Sequence, residues 1–462
     1  MSTAIAATAQ QPAHNPRTQL LLHGPIVPTL LRLAWPSVLV MLVQSSSGLI
    51  ETWFVSRLGT DALAGMALVF PGFMMMLNLS GGAMGGAISS GIARALGARR
   101  HADADALVLH AVIINLALGL TFSALVLSFG PTLYRALGGE GGSLQAALRY
   151  SNVVFAGTSL VWLLNAFANV IRGTGNMFVP AATVCTSIAL LIPLSPCLIF
   201  GLGPFPALGI AGGGVAIVST NALTASVLGW YILSGRSLVR LRLVRLRWAL
   251  FHEILRVGVV AGITTLQTTL TIALATGLVG MAAGTDAIAG FGTGGRLEYL
   301  LVPLVFGLGT ALVALVGTNI GAGQGARALR IALAGGVLAF VVTEAIGVTA
   351  AIWPTAWLGL FGHDPNMLAT GSAYLRTVGP AYGFFGLGLA LYFASQGAGR
   401  LFWPLLAGLL RLVIAIGGGW LALQVTGSLG WLFVALSAAL VIYGVTLSAA
   451  IASGAWFRFG RG

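Results

Sequence analysis

Long apolar segments separated by short polar loops fill almost the whole chain. Each segment is long enough to cross a bilayer, which takes about 20 helical residues at about 1.5 Å per residue. The pattern predicts an all-α polytopic membrane protein with twelve transmembrane helices. These predicted helices cover residues 29–55, 62–93, 106–129, 144–171, 178–201, 208–234, 254–280, 287–319, 328–352, 366–394, 402–425 and 429–452.

Composition agrees with this pattern. Of the 462 residues, 57% are hydrophobic and only 7% are charged, whereas a soluble domain carries about 25% charged residues. The 23 basic residues, all arginine, exceed the ten acids and give a net charge of +13. In a soluble protein this excess would suggest nucleic acid, but short loops rich in arginine are explained by the positive-inside rule. We therefore expect the lipid bilayer, and no nucleic acid, as a partner.

Arginine is concentrated in alternate loops and near both ends of the chain. This distribution predicts a multi-pass protein of the cell (inner or plasma) membrane with both termini in the cytoplasm. Residues 1–28 and 453–462 are then cytoplasmic tails, and residues 235–253 form a basic cytoplasmic linker. The leucines between the linker arginines could lie on anionic lipid, but a loop that only fixes topology is the favoured interpretation.

Three short sequence blocks each have a second copy later in the chain. The copies follow in the same order, and the separation between a block and its copy is nearly the same for all three. Such a match indicates an internal repeat, so residues 29–234 and 254–452 are predicted to form two pseudo-symmetric six-helix lobes, the N-lobe and the C-lobe. An even number of helices gives both lobes the same orientation, with substrate bound between them. The blocks are Gly59–Gly65 and Gly284–Gly290, Leu96–Ala98 and Ile320–Ala322, and Gly173–Pro180 and Gly397–Pro404.

One acid, Glu51, interrupts the first apolar segment. A charge at mid-helix costs roughly 2.5 to 3.5 kcal/mol on insertion scales, so such a residue normally faces a protein interior or a wet cavity and is functional. The polar run Gln44–Gly48 on the same helix agrees with contact to protein rather than lipid. An interfacial acid paired with Arg57 is the alternative.

Other polar side chains within the predicted helices are candidate ligands for a cation or a substrate. Amides can both donate and accept hydrogen bonds, but buried amides also link helices, and the two roles are equally open. Asn165 and Asn169 are four residues apart and so share a helix face. Arg296 and Glu298 either bind or gate in the C-lobe or neutralise each other. The candidates are Gln44, Asn78, Asn152, Asn165, Asn169, Asn221, Gln267, Arg296 and Glu298.

Three more polar residues lie inside predicted helices. Glu344 and Arg411 are isolated charges that could form an ion pair with each other. Histidine side chains can share protons at neutral pH, but the place of His110 near a helix end favours a structural role.

The order of these motifs resembles the multidrug and toxic compound extrusion family over almost the whole chain. The resemblance rests on the helix 1 acid before Arg57–Ala64, on Ala95–Ala98, on Arg172–Gly175 before Pro180, and on Asn319–Gly323. It implies a secondary active antiporter that exports cationic, amphipathic drugs and metabolites in exchange for protons or sodium ions.

The resemblance also assigns the coupling residue. The family's N-lobe acid falls on Glu51, where aspartate is usual, so the carboxyl group is shifted by about 1.5 Å, the length of one C–C bond. Acids that one branch of the family carries in helices 7 and 10 are absent from Ile263–Thr268 and from Tyr374–Gln396. Glu51 is therefore the leading coupling residue.

Burial favours the neutral form of a carboxyl group, so a carboxyl group that alternates between wet and dry surroundings could exchange a proton for a cationic substrate. The residue types alone do not exclude sodium at Glu51, although we expect protons. We expect a monomer without a resident cofactor or metal, and no enzyme, because the acids and histidines form no recognisable catalytic constellation. The alternatives are a flippase for lipid-linked oligosaccharides and an integral membrane enzyme.

Overall fold

A computed structural model of the chain describes residues 15–454 and 456, without the side chains of residues 284–286 and 299. Most of the two predicted tails, and the side chains of the first three residues of the Gly284–Gly290 block, therefore lie outside the described part of the structure. No strand occurs in the described part of the chain. Its helices are α1 (Pro16–His23), α2 (Ile26–Ser56), α3 (Thr60–Leu77), α4 (Gly85–Gly97), α5 (His101–Ala136), α6 (Gly141–Ala156), α7 (Thr158–Gly173), α8 (Phe178–Phe200), α9 (Ile210–Leu233), α10 (Trp248–Gly321), α11 (Gly325–Ile352), α12 (Pro354–Leu358), α13 (Pro365–Val378), α14 (Tyr382–Ala398), α15 (Phe402–Leu412), α16 (Gly419–Thr426) and α17 (Leu429–Ala452).

These helices supply the twelve predicted membrane crossings. α10 contains two of them, Trp248–Ala283 and Ala287–Gly321. α6 and α7 form one crossing with a bend of 46°. Two crossings contain a π-helical segment, Asn78–Met84 between α3 and α4, and Val413–Gly418 between α15 and α16. The prediction of twelve transmembrane helices in two lobes is confirmed.

The structure differs from the sequence-based boundaries in all three predicted polar regions, which are the two tails and the linker. α1 lies within residues 1–28, which the sequence assigned to a tail, and its Leu21 and Leu22 are buried. A helix this short does not show an amphipathic period. α10 begins at Trp248, inside the predicted linker of residues 235–253. Trp456, in the predicted C-terminal tail, is buried, and its indole N–H donates to Ser395 Oγ at 3.3 Å.

The linker between α9 and α10 is fixed to the start of α5. His110 accepts a hydrogen bond at Nε2 from the backbone N–H of Arg247 at 3.0 Å, and its Nδ1 lies 2.8 Å from the carbonyl oxygen of Ala106. Because a backbone N–H can only donate, Nδ1 carries the ring proton. Asp105 also accepts from the backbone N–H of Arg240 at 2.8 Å. These contacts give His110 the structural role that its position favoured.

The two lobes meet through a pair of glycines that the internal repeat relates. Gly97 at the end of α4 lies so close to the carbonyl oxygen of Thr318 that a Cβ atom would collide with it, and Gly321 at the end of α10 lies equally close to that of Arg94. The separation in sequence between Gly97 and Gly321 is identical to that between Arg94 and Thr318. The contact is therefore reciprocal, as expected for two copies of one unit around a pseudo-twofold axis.

The same separation in sequence relates contacts inside each lobe. A Cβ atom built on Gly173 of α7 would lie only 2.7 Å from the carbonyl oxygen of Ser89 in α4. A Cβ atom built on Gly397 of α14 would lie 2.7 Å from the carbonyl oxygen of Val313 in α10. Gly397 follows Gly173 at the same interval at which Val313 follows Ser89. Close backbone approach at small residues is a common way for helices to associate in membranes.

Hydrogen bonds between the lobes, among the described residues, lie in one half of the molecule. We call the end of this half the arginine-rich end because Arg94, Arg99 and the basic linker lie there. Arg94 donates to Glu253 at 3.1 Å, and Ser90 donates to the carbonyl oxygen of Gln396 at 2.6 Å. Deeper in the membrane, Thr310 donates to Ser37 at 3.0 Å. Among the described residues no side-chain hydrogen bond joins the lobes in their opposite halves, so the contact closes the arginine-rich end.

Replacing either repeat-related glycine should destabilise this contact. Gly97→Ala and Gly321→Ala each place a methyl group against a backbone carbonyl, and overpacking of this kind typically costs about 1 to 3 kcal/mol. We expect the thermal unfolding midpoint of the purified protein to fall by similar amounts in both variants. Gly277→Ala is the control, because no atom lies within 4 Å of its Cβ position. A variant pair that unfolds like the control would show that the lobes do not depend on this contact.

Candidate functional site

Glu51 is buried inside the N-lobe. It lies near the end of α2 and is 6% exposed. Its Oε1 atom has no hydrogen-bond partner among the described residues. Arg57, the alternative partner expected from sequence, instead places its guanidinium 4.7 Å from the ring centroid of Trp53. Glu51 is thus an uncompensated acid within protein, and not one half of an interfacial ion pair.

Three helices surround the Glu51 carboxyl group. A Cβ atom at Gly213 would lie 3.1 Å from Oε1, and the same position is 3.6 Å from Ile199 Cδ1 and 3.9 Å from Tyr150 Cε2. The carboxyl group therefore sits where α6, α8 and α9 meet. Because α9 begins at Ile210, Gly213 is in its first turn, where the positive end of the helix dipole stabilises negative charge. Glycine at this position leaves the space that the carboxyl group occupies.

None of the six predicted N-lobe amides hydrogen-bonds Glu51 Oε1 in the described structure. Gln44, Asn78 and Asn152 are exposed, and Asn221 is half-buried. The helix period placed them in the correct lobe, but their direction depends on how each helix is rotated in the bundle. Their role in binding substrate stays a prediction.

Asn165 and Asn169 do share a face of α7, and Asn165 contacts the π-helical segment of the second crossing. Asn165 donates to Ser80 Oγ at 2.9 Å, and Asn169 donates to the carbonyl oxygen of Asn165 at 2.9 Å. From the other lobe, Gln396 donates to the carbonyl oxygen of Gly82 at 3.2 Å. A π-helical turn leaves backbone groups available for such contacts and often marks a functional region. This cluster therefore connects the N-lobe interior with the contact between lobes.

Arg296 and Glu298 do not neutralise each other. Arg296 lies 5.4 Å from the ring centroid of Phe361, whereas Glu298 accepts a hydrogen bond from the Tyr374 hydroxyl at 3.1 Å. Residues two apart do not face each other on a helix, which explains the separation. The Tyr374 hydroxyl also lies 3.2 Å from that of Tyr382, so Glu298 ends a short chain of hydroxyl groups.

The suggested Glu344–Arg411 pair is absent as well. Glu344 accepts from the backbone N–H of Gly383 at 2.7 Å, near the start of α14. Arg411 instead lies 5.4 Å from the ring centroid of Phe385 and 5.6 Å from that of Tyr443. Different neighbours therefore surround the two charges.

Sequence reasoning missed several residues that shape these sites. Tyr150 and Gly213 face Glu51, Ser80 anchors the amide pair, and Tyr374 holds Glu298. The run of three glycines at Gly212–Gly214, at the start of a membrane helix, was a usable signal of close approach. The tyrosines gave none, because apolar helices contain many aromatic residues that only pack.

A family model described as MatE matches the chain twice, at residues 36–197 and 261–421. The starts of the two matches are as far apart in sequence as Gly59 and Gly284, in agreement with the internal repeat. The two matches together cover more than half of the chain. The protein belongs to the MATE family. It is therefore a multi-pass membrane transporter and not an enzyme.

MATE proteins of several bacteria are similar in sequence. An "FAD transporter" of Shewanella oneidensis is 29% identical over 85% of this chain and 87% of its own length. A "Probable multidrug resistance protein NorM" of Thermotoga maritima is 25% identical over 82% of this chain and 81% of its own. The relatives thus include proteins named for one defined cargo and proteins named for drug resistance.

Solved MATE structures share the fold. A transporter of the MOP superfamily from Pyrococcus furiosus has a TM-score of 0.88 at 23% identity and covers 96% of this chain and 98% of its own. A multidrug resistance MATE transporter described in an outward-facing conformation has a TM-score of 0.87 at 23% identity, with 96% and 99% covered. At this identity the likeness supports the twelve-helix, two-lobe fold alone.

The space at Gly213 gives a test of the site. In Gly213→Ala the new methyl group would lie 3.1 Å from Glu51 Oε1, tighter than normal packing, and would displace the carboxyl group. We expect the initial rate of substrate transport to fall several-fold at equal expression. Gly48→Ala is the matched control, because Gly48 is on the helix of Glu51 and no atom lies within 4 Å of its Cβ position. Equal rates in the two variants would contradict a dependence on the position of Glu51.

Proposed function

We propose that this transporter is a secondary active antiporter that exports cationic or amphipathic organic compounds in exchange for protons, with Glu51 as the coupling residue. The observation that carries the proposal is the Glu51 carboxyl group, 6% exposed and with an oxygen atom that has no hydrogen-bond partner among the described residues. Such a group gains stability when it takes up a proton or a cation. Competition between the two for one carboxylate is the simplest form of antiport.

The surroundings of Glu51 favour a proton over sodium. A hard cation is held by several oxygen ligands. No described group donates a hydrogen bond to Glu51 Oε1, and of the residues located beside it through Gly213, only Tyr150 has a side-chain oxygen. A proton needs no such shell, since it forms a covalent bond with one carboxylate oxygen. Sodium at Glu51 is the alternative coupling ion.

The stoichiometry decides which gradient drives export. Each charge moved across 100 mV is worth about 2.3 kcal/mol. Exchange of one proton for one monovalent cation moves no net charge. Under that stoichiometry transport responds to the pH difference and not to the membrane potential.

We further propose that the arginine-rich end faces the cytoplasm, with both termini on that side, in the inner or plasma membrane of the cell. The positive-inside rule supports this orientation. The lobe contacts at that end, such as Arg94 with Glu253, then describe a protein closed toward the cytoplasm. A monomer contains both lobes and needs no second copy to form the space between them.

The nature of the cargo has two candidates. Drugs and other xenobiotics are supported by relatives named for multidrug resistance or export. A defined anionic metabolite is supported by the relative named as an FAD transporter. The flippase and enzyme alternatives are disfavoured, because the chain is a member of a transporter family whose matched relatives are named for drugs or a flavin nucleotide.

The test is efflux of a cationic dye from right-side-out vesicles under an imposed pH gradient and then a sodium gradient. We expect Glu51→Gln to lower pH-driven efflux about tenfold or more, because a charged contact is worth about 1.5 to 3 kcal/mol and about 1.4 kcal/mol is tenfold. Glu51→Asp keeps the charge and should retain part of the activity.

Glu140→Gln is the control for charge, because Glu140 caps α6 outside the site. Full pH-driven efflux by Glu51→Gln would remove Glu51 from coupling. A response of the native protein to sodium alone would keep the antiporter and change the ion.

A further inference from the structure

The C-lobe contains a buried cation that no acceptor satisfies. Arg411 of α15 is 9% exposed. None of the described residues accepts a hydrogen bond from its guanidinium, and no carboxylate of the described chain lies within ion-pair distance. A guanidinium stays charged and has five N–H donors. A buried charge of this kind is costly unless a partner is supplied.

The neighbouring acids do not supply that partner. Glu298 interacts electrostatically with Arg411 over a longer distance, but the hydrogen bond its carboxylate accepts comes from the Tyr374 hydroxyl. Glu344 accepts from the backbone N–H of Gly383. The groups in contact with the guanidinium are aromatic, the rings of Phe385 and Tyr443. They leave the N–H donors available for an acceptor from outside the chain.

A second unpartnered polar group faces the same side of α15. Gln267, from the first half of α10, is 8% exposed, and neither its Oε1 nor its Nε2 atom has a hydrogen-bond partner in the described structure. Its Oε1 lies 2.8 Å from the Cβ position of Gly408. Gly408 and Arg411 are three residues apart, so they share a helix face about one turn apart. The unpartnered Gln267 amide therefore contacts α15 about one helical turn from Arg411.

The backbone next to Arg411 is also irregular. The π-helical segment Val413–Gly418 begins two residues later, and such segments often occur at functional sites. Both Gln267 and Arg411 lie in the interior parts of their crossings, Trp248–Ala283 and Phe402–Thr426, where transporters bind substrate near the bilayer midplane.

We propose that Arg411 and Gln267 form a binding site in the C-lobe for the phosphate or carboxylate group of an anionic substrate, with Phe385 and Tyr443 as its aromatic walls. Guanidinium groups bind both oxyanions through paired N–H donors, and aromatic walls suit a substrate whose anionic group is attached to a planar ring. The proposal deepens the transport function proposed above and rests on it for the movement of cargo. It assigns to the C-lobe a polarity opposite to that of Glu51.

The first test compares ligands that differ only in charge. Binding of flavin mononucleotide and of riboflavin to the purified protein is measured by equilibrium dialysis, and coumarin-3-carboxylate and its uncharged amide form a second pair. We expect the charged member of at least one pair to bind about tenfold or more tightly, with a preference that weakens as salt screens the charge. The pair that shows the preference distinguishes phosphate from carboxylate. Equal affinities within both pairs would overturn the proposal.

Variants then locate the preference. Arg411→Gln should abolish it, and Arg411→Lys should keep part of it because the charge remains without the planar fork. Gly408→Ala leaves Arg411 in place but displaces the Gln267 amide, so it should weaken binding of the charged ligand several-fold. Gly277→Ala, in the crossing that carries Gln267 and with no atom within 4 Å of its Cβ position, is the control. A preference that survives Arg411→Gln would overturn the proposal and leave Arg411 as a distant counter-charge of Glu298.

Two measurements separate folding and transport from this site. The double variant Glu298→Gln with Arg411→Gln removes both charges and serves if Arg411→Gln alone is unstable. If this double variant unfolds like the native protein and has lost the preference for the charged ligand, the site is supported. Efflux of the cationic dye is measured in parallel. Absence of dye efflux by the native protein would contradict the proposed antiport function. Normal dye efflux without a preference for the anionic ligands would contradict only the C-lobe site.

Discussion

The two lobes are held together where backbone meets backbone at the arginine-rich end. Gly97 and Gly321 lie against the carbonyl groups of the opposite lobe, which only residues without a Cβ atom permit. Lipid removes the hydrophobic effect as a force between helices, so close packing and hydrogen bonds have to hold them together. The reciprocal geometry allows each lobe to supply both halves of the contact, and it sets which end of the molecule is closed.

Away from this contact, the structure depends on whether the buried polar groups of each lobe have hydrogen-bond partners. Most are satisfied locally, as Glu344 is by the N–H of Gly383 and His110 by the linker backbone. Several other buried polar atoms have no partner among the described residues, and two of the charged groups without a described hydrogen bond are Glu51 in the N-lobe and Arg411 in the C-lobe. Buried charges without partners are rare in membrane helices and tend to be functional. The two lobes share a fold, and these two buried groups have charges of opposite sign.

The architecture was predictable from sequence because its determinants are local or repeated. Segment length, arginine position and a nearly constant spacing between repeated blocks, seen at Gly97 with Gly321 and Gly59 with Gly284, all appear without knowledge of packing. The partners of Glu51 were not predictable in this way, since Gly213 is far away in sequence and meets it only through the rotation of α9. The separation of Arg296 and Glu298 was predictable, because residues two apart do not face each other on a helix.

One helix connects the candidate site with the lobe contact. The first half of α2 packs against the C-lobe, where Ser37 accepts from Thr310 and Val38 packs on Gly307. Its second half buries Glu51 within the N-lobe, about 21 Å further along at about 1.5 Å per residue. A change in the charge of Glu51 alters the cost of keeping this half of α2 in its apolar surroundings. Because α2 also forms part of the contact between lobes, we expect a shift of α2 that relieves this cost to alter the contact that closes the arginine-rich end.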